Sequence, residues 1–513
     1  MKELSLVAID IGAGSGRFFL TGFDGKKIFP KEVYRFENEQ ILLGNTLYWD
    51  FLNIFKNVGL GLCAAYKNNN YKKISSVGID TWGADFGILD NYGDLIENPV
   101  SYRDKRTEGI SKYIYEEIPG YDLFNLNSTK TYNYCALFQL LYLYKFKKEN
   151  AKIISSYLPI PNLINYFLTG EKVSEPSVLT ATQFFDVDKK VYLTAILDKF
   201  SIPKSILPLI SEAGKVIGIL KKQVSSDLGL PDNIKVSLVC GHDSASAVNG
   251  IPIPSGYNKN YNNCCYLLSG TWAVVGIETK KPLVGVDVYN SDFTNWVSYK
   301  DNIIFLKIFN CFYFIQEYKK LLERKAGKSI DYEMLLSNLY DEDIKINSLI
   351  NLSSQMLFKS KDNLSGNLIE NISEYFKLTN QKLENLEKEI VKIIFVSIIL
   401  ETKLAVENLE KFSGKKFKSI YITGGGSQNI IFCQWLSDCL GIEVIAVCPE
   451  STINGNLIIQ LLAVREINNL DEGREIIGNS FNNIEYHPVK SPKINWINLE
   501  VNYINLKRFE EAK

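Results

Sequence analysis

Asp10, Gly12, Ser15 and Arg17 stand in the order D-x-G-x-x-S-x-R at the end of the apolar run VAIDI, and these residue types suit the handling of a polyphosphate. Glycine lets backbone N–H groups approach an anion with no Cβ in the way, and the serine hydroxyl adds a hydrogen bond. A carboxylate beside a phosphate cradle is unfavourable unless a cation bridges them, so Asp10 implies Mg²⁺ held largely through water. Two common phosphate loops are excluded. No lysine follows in the Walker position, and Arg17 stands where a dinucleotide fingerprint needs its third glycine. The segment CCYLLSGTWAVVGIET, Cys264 to Thr279, repeats the plan of apolar run, Gly/Ser/Thr turn and second apolar run. Each segment predicts a strand, a tight turn and a returning strand. Two such hairpins predict a duplicated fold gripping one polyphosphate from both sides.

The elements that must carry these turns alternate in an α/β manner. KISSVGIDTW is a strand-like run ending at Asp80 and Trp82, and NIKVSLVCGHD a strand ending in Gly241, His242 and Asp243, with SASAVNGIP opening a helix beyond it. CALFQLLYLYKFKKEN and EIVKIIFVSIILETKLAVENLEKF place apolar residues at helical spacing. KSIYITGGGSQNIIFCQWLSDCLG predicts strand, glycine turn and helix, and a turn opening onto a helix N-terminus suits a nucleotide. The segment IPIPSGYNKNYNN is rich in Pro, Gly and Asn and predicts a domain boundary. The charged stretch from Glu323 to Lys388 predicts surface helices and loops, and loss of apolar periodicity after Leu470 predicts a peripheral tail. The expected organisation is 1–246, 247–470 and a tail, 471–513.

At 513 residues the chain is long enough for two domains with sizeable cores. A net charge of -1 gives no electrostatic case for nucleic acid or a membrane surface, so the expected partner is a small molecule. No apolar run approaches the roughly 18 residues of a membrane span, and MKELSLVAID lacks the regions of a signal peptide. A cytoplasmic monomer or homodimer is the expectation. Nine cysteines with no C-x-x-C pair predict buried thiols rather than disulfides or zinc, and two histidines exclude His-rich metal sites.

Taken together, DIGAGSGR, GIDTWGADFG, YRDKRT, CGHDSASAV, LSGTW and TGGGSQN resemble the FGGY carbohydrate kinases over about Val7 to Val464. Their order and spacing are most similar to the branch that phosphorylates L-rhamnulose. The resemblance implies an actin-like ATPase fold of two RNase-H-like domains, with ATP, Mg²⁺ and sugar in a cleft between them. By position it implies that Ala13, Gly14, Ser15, Gly16 and Arg17 form the first phosphate loop and Thr271 belongs to the second. Gln316 and Gly426 fall on nucleotide contacts. Gly83, His242, Asp243 and Ser244 fall on the sugar site, with Asp243 as catalytic base. The chain departs from the pattern at Ile308, where an Asn is favoured and Asn310 stands nearby, at Gly14 in place of serine and at Ser244 in place of threonine.

The chemistry agrees with that assignment. Phosphoryl transfer needs a positioned hydroxyl, a destination for its proton and stabilisation of the phosphoryl charge. Asp243 suits the proton, against a competing role as N-cap of the next helix. His242 offers a donor and an acceptor to a sugar hydroxyl, against a core role. Trp82 presents an aromatic face to a sugar or to the core, and Gly83 permits close approach. Tyr102, Asp104 and Arg106 in YRDKRT suit part of a sugar rim, against the commoner role of such a charge cluster on a solvated surface. The competing activities are another FGGY ketose kinase, acting on fuculose, xylulose or a related sugar, and a non-catalytic actin-like ATP-binding protein. A sugar-responsive repressor would need a DNA-reading module, and the first hairpin begins too early for one.

Overall fold

The computed structural model describes residues 4–70, 72–253, 263–340, 346–358, 364–382 and 386–512. The chain forms two compact units that alternate along the sequence: unit 1 comprises Met1–Tyr261, Glu278–Phe305 and Glu450–Asn482, and unit 2 comprises Asn262–Ile277, Leu306–Pro449 and Asn483–Lys513.

Unit 1 is built on a six-stranded sheet in the order Lys215–Ile219, Lys235–Leu238, Ser76–Thr81, Leu4–Ile11, Ser15–Phe23, Lys31–Glu37. Leu4–Ile11 pairs antiparallel with Ser15–Phe23 and parallel with Ser76–Thr81. Leu6, Val7, Ala8, Ile9 and Ile11 are all buried, the near-continuous apolar run expected of a strand covered on both faces. On one side Ile54, Val58 and Leu62 of helix Phe51–Asn68 pack into the core that holds Val7 and Ile9. Asp50 caps that helix by accepting from the Asn53 N–H.

Unit 2 repeats the central motif. Cys264–Ser269 pairs antiparallel with Trp272–Thr279 and parallel with Ser419–Thr423, and the sheet continues through Glu443–Ala446 to Ile484–Tyr486. The long helix expected from EIVKIIFVSIIL runs from Leu386 to Ser413, with its central turns buried.

The units differ from the linear ranges 1–246, 247–470 and 471–513 in that Glu278–Phe305 and Glu450–Asn482 belong to unit 1 and Asn483–Lys513 belongs to unit 2. Helix Ser451–Ala463 crosses helix Asp243–Asn249 at backbone contact, since a Cβ on Gly455 would lie 1.8 Å from the Ser246 carbonyl oxygen and one on Gly250 1.9 Å from that of Ser451. Glycine at both crossing points is what lets a distant segment seat there.

The expected peripheral tail is instead two packed helices. Leu470–Ser480 buries Arg474, which pairs with Glu278 at 2.8 Å. Trp496–Glu511 buries Trp496, Leu499, Tyr503 and Leu506. Helical spacing is present there, but four residues carry it among Asn, Lys and Glu. The stretch from Glu323 to Lys388 also departs from a surface role, burying Leu349, Ile350, Leu352, Ile372 and Phe376. Most of the expected boundary segment, 254–262, lies outside the described residues. All nine cysteines are free thiols, six of them buried.

Candidate active-site residues

The first hairpin turn closes through the Gly12 N–H donating to the Ser15 carbonyl at 2.9 Å. Asn38 fixes it from the neighbouring strand, its side-chain amide donating to Gly12 O at 2.8 Å and its backbone N–H to Gly14 O at 3.2 Å. Gly16 lies against the Phe36 ring so closely that a Cβ would meet it at 2.0 Å. Ala13, Gly14, Ser15 and Gly16 are thereby held in one tight turn whose tip, Gly14, is exposed.

Arg17 lies directly across from Asp10 in the antiparallel register, and Asp80 lies across from Asp10 on the parallel side. The Arg17 guanidinium donates to Asp10 Oδ2 at 2.5 Å and to Glu450 Oε2 at 2.7 Å. Burial disfavours the Arg17 charge, yet Asp10 and Glu450 outweigh it and raise its pKa. Part of the counter-charge that the sequence assigned to Mg²⁺ is thus supplied by Arg17, whose terminal nitrogens are committed to carboxylates.

Burial raises the Asp10 carboxyl, Arg17 opposes the shift, and Asp243 and Glu450 add to it. Asp80 is fully buried and rises further, through burial and then the charge of Asp10, with the hydrogen bond from Asn456 opposing and Asp243 adding to the shift. The Asn456 amide donates to Asp80 Oδ2 at 2.5 Å, while Asp80 Oδ1 has no hydrogen-bond partner among the described residues. Asp10, Asp80 and Asp243 therefore form one electrostatic group.

Gly83 and His242 meet directly. Gly83 has φ +74°, and a Cβ there would lie 2.3 Å from the His242 ring. The strand ends that carry them are joined by Thr81 N–H donating to Gly241 O at 2.8 Å. Glu175, also fully buried, accepts from the Gly241 N–H at 2.9 Å, the Ser177 hydroxyl at 2.6 Å and the Ser177 and Val178 N–H groups. Burial raises its carboxyl against those hydrogen bonds. Glu175 and Asn38 are positioning residues that sequence reasoning missed. The Glu-Pro-Ser signal around Glu175 marks a helix start but not the strand end it holds.

The helix cap falls on His242, and Asp243 is the first helical residue. His242 Nδ1 lies 2.8 Å from Asp243 Oδ1, and the carboxylate acceptor selects the tautomer protonated there. The Ser244 N–H lies 2.6 Å from the same oxygen and 3.3 Å from His242 Nδ1, so we assign its hydrogen bond to the carboxylate. The Ser244 hydroxyl adds a contact at 3.2 Å. Three donors thus hold Oδ1, and no hydrogen bond to Oδ2 occurs among the described residues, which leaves it as the open acceptor. His242 stacks on Trp296 with ring centroids 4.5 Å apart.

YRDKRT is solvated only in part: Arg103 and Lys105 are exposed, whereas Asp104 is buried and Tyr102 and Arg106 are partly so. Asp104 accepts from the Arg106 and Leu47 N–H groups, and Arg106 donates to Gln139 Oε1 at 2.5 Å. Burial lowers the Arg106 pKa.

In unit 2 the Thr271 hydroxyl donates to Gln316 Oε1 at 3.2 Å. A Cβ on Gly426 would meet Ser269 Oγ at 2.5 Å and one on Gly424, at φ +82°, Ser269 O at 2.7 Å. Thr271, Gln316 and Gly426 therefore gather around the second hairpin turn. Gly425–Gln428 is a 3₁₀ turn, and the helix Ile430–Leu440 begins only after Asn429, which caps it. Asn310, the neighbour of Ile308, donates to Leu352 O at 2.8 Å and is committed to the core.

Comparison with known proteins identifies the family. Residues 5–250 match the N-terminal domain of the FGGY family of carbohydrate kinases and residues 265–464 its C-terminal domain. The chain is 31% identical to a rhamnulokinase of Oceanobacillus iheyensis over 95% of this chain and 99% of that protein. It is 29% identical to a rhamnulokinase of Bacillus subtilis, over 92% and 93%. Among solved structures, a ligand-bound xylulose kinase from Lactobacillus acidophilus shares the fold with TM-score 0.80 at 16% identity, over 99% of both chains. Plasmodium falciparum glycerol kinase with ADP does so with TM-score 0.72 at 17% identity, over 99% and 98%. The chain is a phosphotransferase, a two-domain enzyme that belongs to the FGGY family of carbohydrate kinases.

Proposed function

We propose that this enzyme transfers the γ-phosphoryl group of ATP to the 1-hydroxyl of L-rhamnulose, giving L-rhamnulose 1-phosphate and ADP. The observation that carries the reading is Asp243, whose Oδ1 is held by three donors while Oδ2 is open, beside the His242–Gly83 contact. The similarity to rhamnulokinases over nearly the whole chain supports the choice of sugar.

In this scheme the O1 hydroxyl yields its proton to Asp243 Oδ2. O1 bonds the γ-phosphorus while the bond from phosphorus to the β–γ bridging oxygen breaks, and ADP leaves with that electron pair. His242 Nε2 orients a sugar hydroxyl, its tautomer set by Asp243. The turn from Ala13 to Gly16 offers N–H groups to the phosphates, and Thr271, Gln316 and Gly426 hold the nucleotide. Carboxylate oxygens are the hard ligands Mg²⁺ takes, and the buried Asp80 Oδ1, which has no hydrogen-bond partner among the described residues, fits a cation held nearby through water. Asp10 would hold the ion, which when bound offsets phosphate charge.

A coupled ADP-release assay over L-rhamnulose, L-fuculose and D-xylulose tests the assignment. The expected result is the highest kcat/KM with L-rhamnulose. A clearly higher value for another ketose overturns the choice of sugar, and ATP turnover with no sugar dependence overturns the reaction.

A further inference from the structure

Both indole N–H groups of one aromatic cluster of unit 1 are turned toward a single buried carboxylate. Asp85 Oδ2 accepts from Trp49 Nε1 at 2.6 Å, Trp82 Nε1 at 3.0 Å and the Tyr102 N–H at 3.1 Å. Its Oδ1 accepts from Gln139 Nε2 at 3.1 Å, and Gln139 is locked in turn by Tyr134 O and Arg106. Asp85 itself is buried, and burial raises its carboxyl against the hydrogen bonds from Trp49, Gln139, Trp82 and Tyr102. The Trp49 and Trp82 rings stack 4.3 Å apart. Trp49 is fully buried, whereas Trp82 and Tyr102 remain partly open.

The cluster adjoins the candidate sugar residues. Trp82 directly precedes Gly83, whose backbone lies on the His242 ring. The Tyr102 hydroxyl, raised chiefly by burial, also feels the charges of Asp85 and Asp243. With its N–H turned inward, Trp82 presents hydrocarbon alone on its open face. A substrate terminus bearing a hydroxyl would find no partner on it, and a methyl would lose nothing.

We propose that Asp85 is a positioning residue that turns the Trp49 and Trp82 indole N–H groups inward, so that Trp82 forms an apolar wall for the C6 methyl of a 6-deoxyketohexose. The inference rests on the sugar-kinase reading and deepens it. L-rhamnulose is 6-deoxy-L-fructose, so the pair L-rhamnulose and L-fructose differs only at the atom the wall would touch. The wall has a chemical reason to prefer the first, by roughly 10- to 100-fold in kcat/KM, the range an apolar pocket reaches against an added hydroxyl.

The test compares kcat and KM for both sugars in wild type, Asp85→Asn, Trp82→Gln and Trp82→Phe, with D-xylulose as a third substrate. The expected result is a preference that falls at least fivefold in Trp82→Gln and Asp85→Asn, through a higher KM for L-rhamnulose, and is retained in Trp82→Phe, which keeps the hydrocarbon face. If Asp85→Asn does not fold, the two Trp82 variants decide the wall. An unchanged ratio in Trp82→Gln, or an equal loss of kcat on all three sugars, overturns the proposal while leaving the kinase assignment intact. Wild type that uses D-xylulose and neither hexulose overturns the underlying choice of sugar and the wall with it.

Discussion

Asp243 and its neighbours divide two tasks that one aspartate might have combined. Because His242 occupies the cap position, Asp243 Oδ1 is free to collect donors from His242 and Ser244, and Oδ2 is left for a proton. Asp243→Asn keeps the size and most of the hydrogen bonding while removing the acceptor. Its kcat should fall by about 10²- to 10⁴-fold, with sugar affinity and melting temperature close to wild type. Kinetics, sugar titration and thermal melting on one preparation check this, and near-normal turnover removes Asp243 from the chemistry. Asp10→Asn is expected to raise the Mg²⁺ concentration needed for half-maximal rate, since the carboxylate assigned to the ion is lost. An unaltered magnesium titration would exclude that role. The motif residues were legible in the sequence because each is a distinctive type beside a glycine turn. Asn38, Glu175 and Asp85 were not, since an amide or a carboxylate reveals what it holds only when the strand ends it touches are known.

Two helices that come late in the chain are held by contacts distant in sequence. Gly455 permits Ser451–Ala463 to cross Asp243–Asn249 at backbone distance. Gly455→Ala must displace a backbone carbonyl, and the strain should cost at least about 1–3 kcal/mol. A melting temperature unchanged by calorimetry would show that the crossing relaxes freely. In unit 2, helix Trp496–Glu511 is pinned where Tyr503 and Lys507 donate to Glu401 Oε2 at 3.0 and 2.8 Å, with Lys307 paired at 3.1 Å. Burial pushes the Glu401 carboxyl up, but Lys307 and Lys507 outweigh it and hold the pKa down to about 2, from 4.5. A depressed acid contributes stability that is present above its unfolded pKa and lost as pH falls through the folded one. Glu401→Gln should therefore melt lower at neutral pH and lose stability less steeply than wild type between pH ~4.5 and ~2. Parallel acid limbs in the two melting curves would contradict that linkage.

At the scale of the whole molecule, the decisive fact is that unit 1 is not a continuous stretch of chain. Segment Glu450–Asn482 brings Glu450 to Arg17, Asn456 to Asp80 and the Gln460 amide to Val7 O at 2.9 Å. A fragment covering residues 1–261 lacks all three and would leave Asp80 buried without its donor. It should show no cooperative thermal transition by circular dichroism, and should gain one when segments covering 278–305 and 450–482, the rest of unit 1, are joined to it by linkers. A sharp transition in the fragment alone would mean that the N-terminal segment is self-sufficient. No helix among the described residues is long and apolar enough to cross a membrane.

The two hairpins, the α/β alternation and the long helix at Leu386–Ser413 were determined by the sequence alone, because each is written in local chemistry: glycine where the backbone turns, apolar residues at one period. The linear division and the peripheral tail expected after Leu470 fared differently. Leu470–Ser480 carries few apolar residues, and those of Trp496–Glu511 are spread round the helix, with Ile497 and Val501 exposed, so local periodicity is weak; both helices are tied to partners far away in sequence, Glu278 for Arg474 and Glu401 for Tyr503. The same holds at the candidate site. The sequence shows a carboxylate at Asp10 and a cation at Arg17, but strand register decides that they meet. The return of Glu450 decides that the guanidinium is shared. Long-range pairing is the one term that no window of sequence contains.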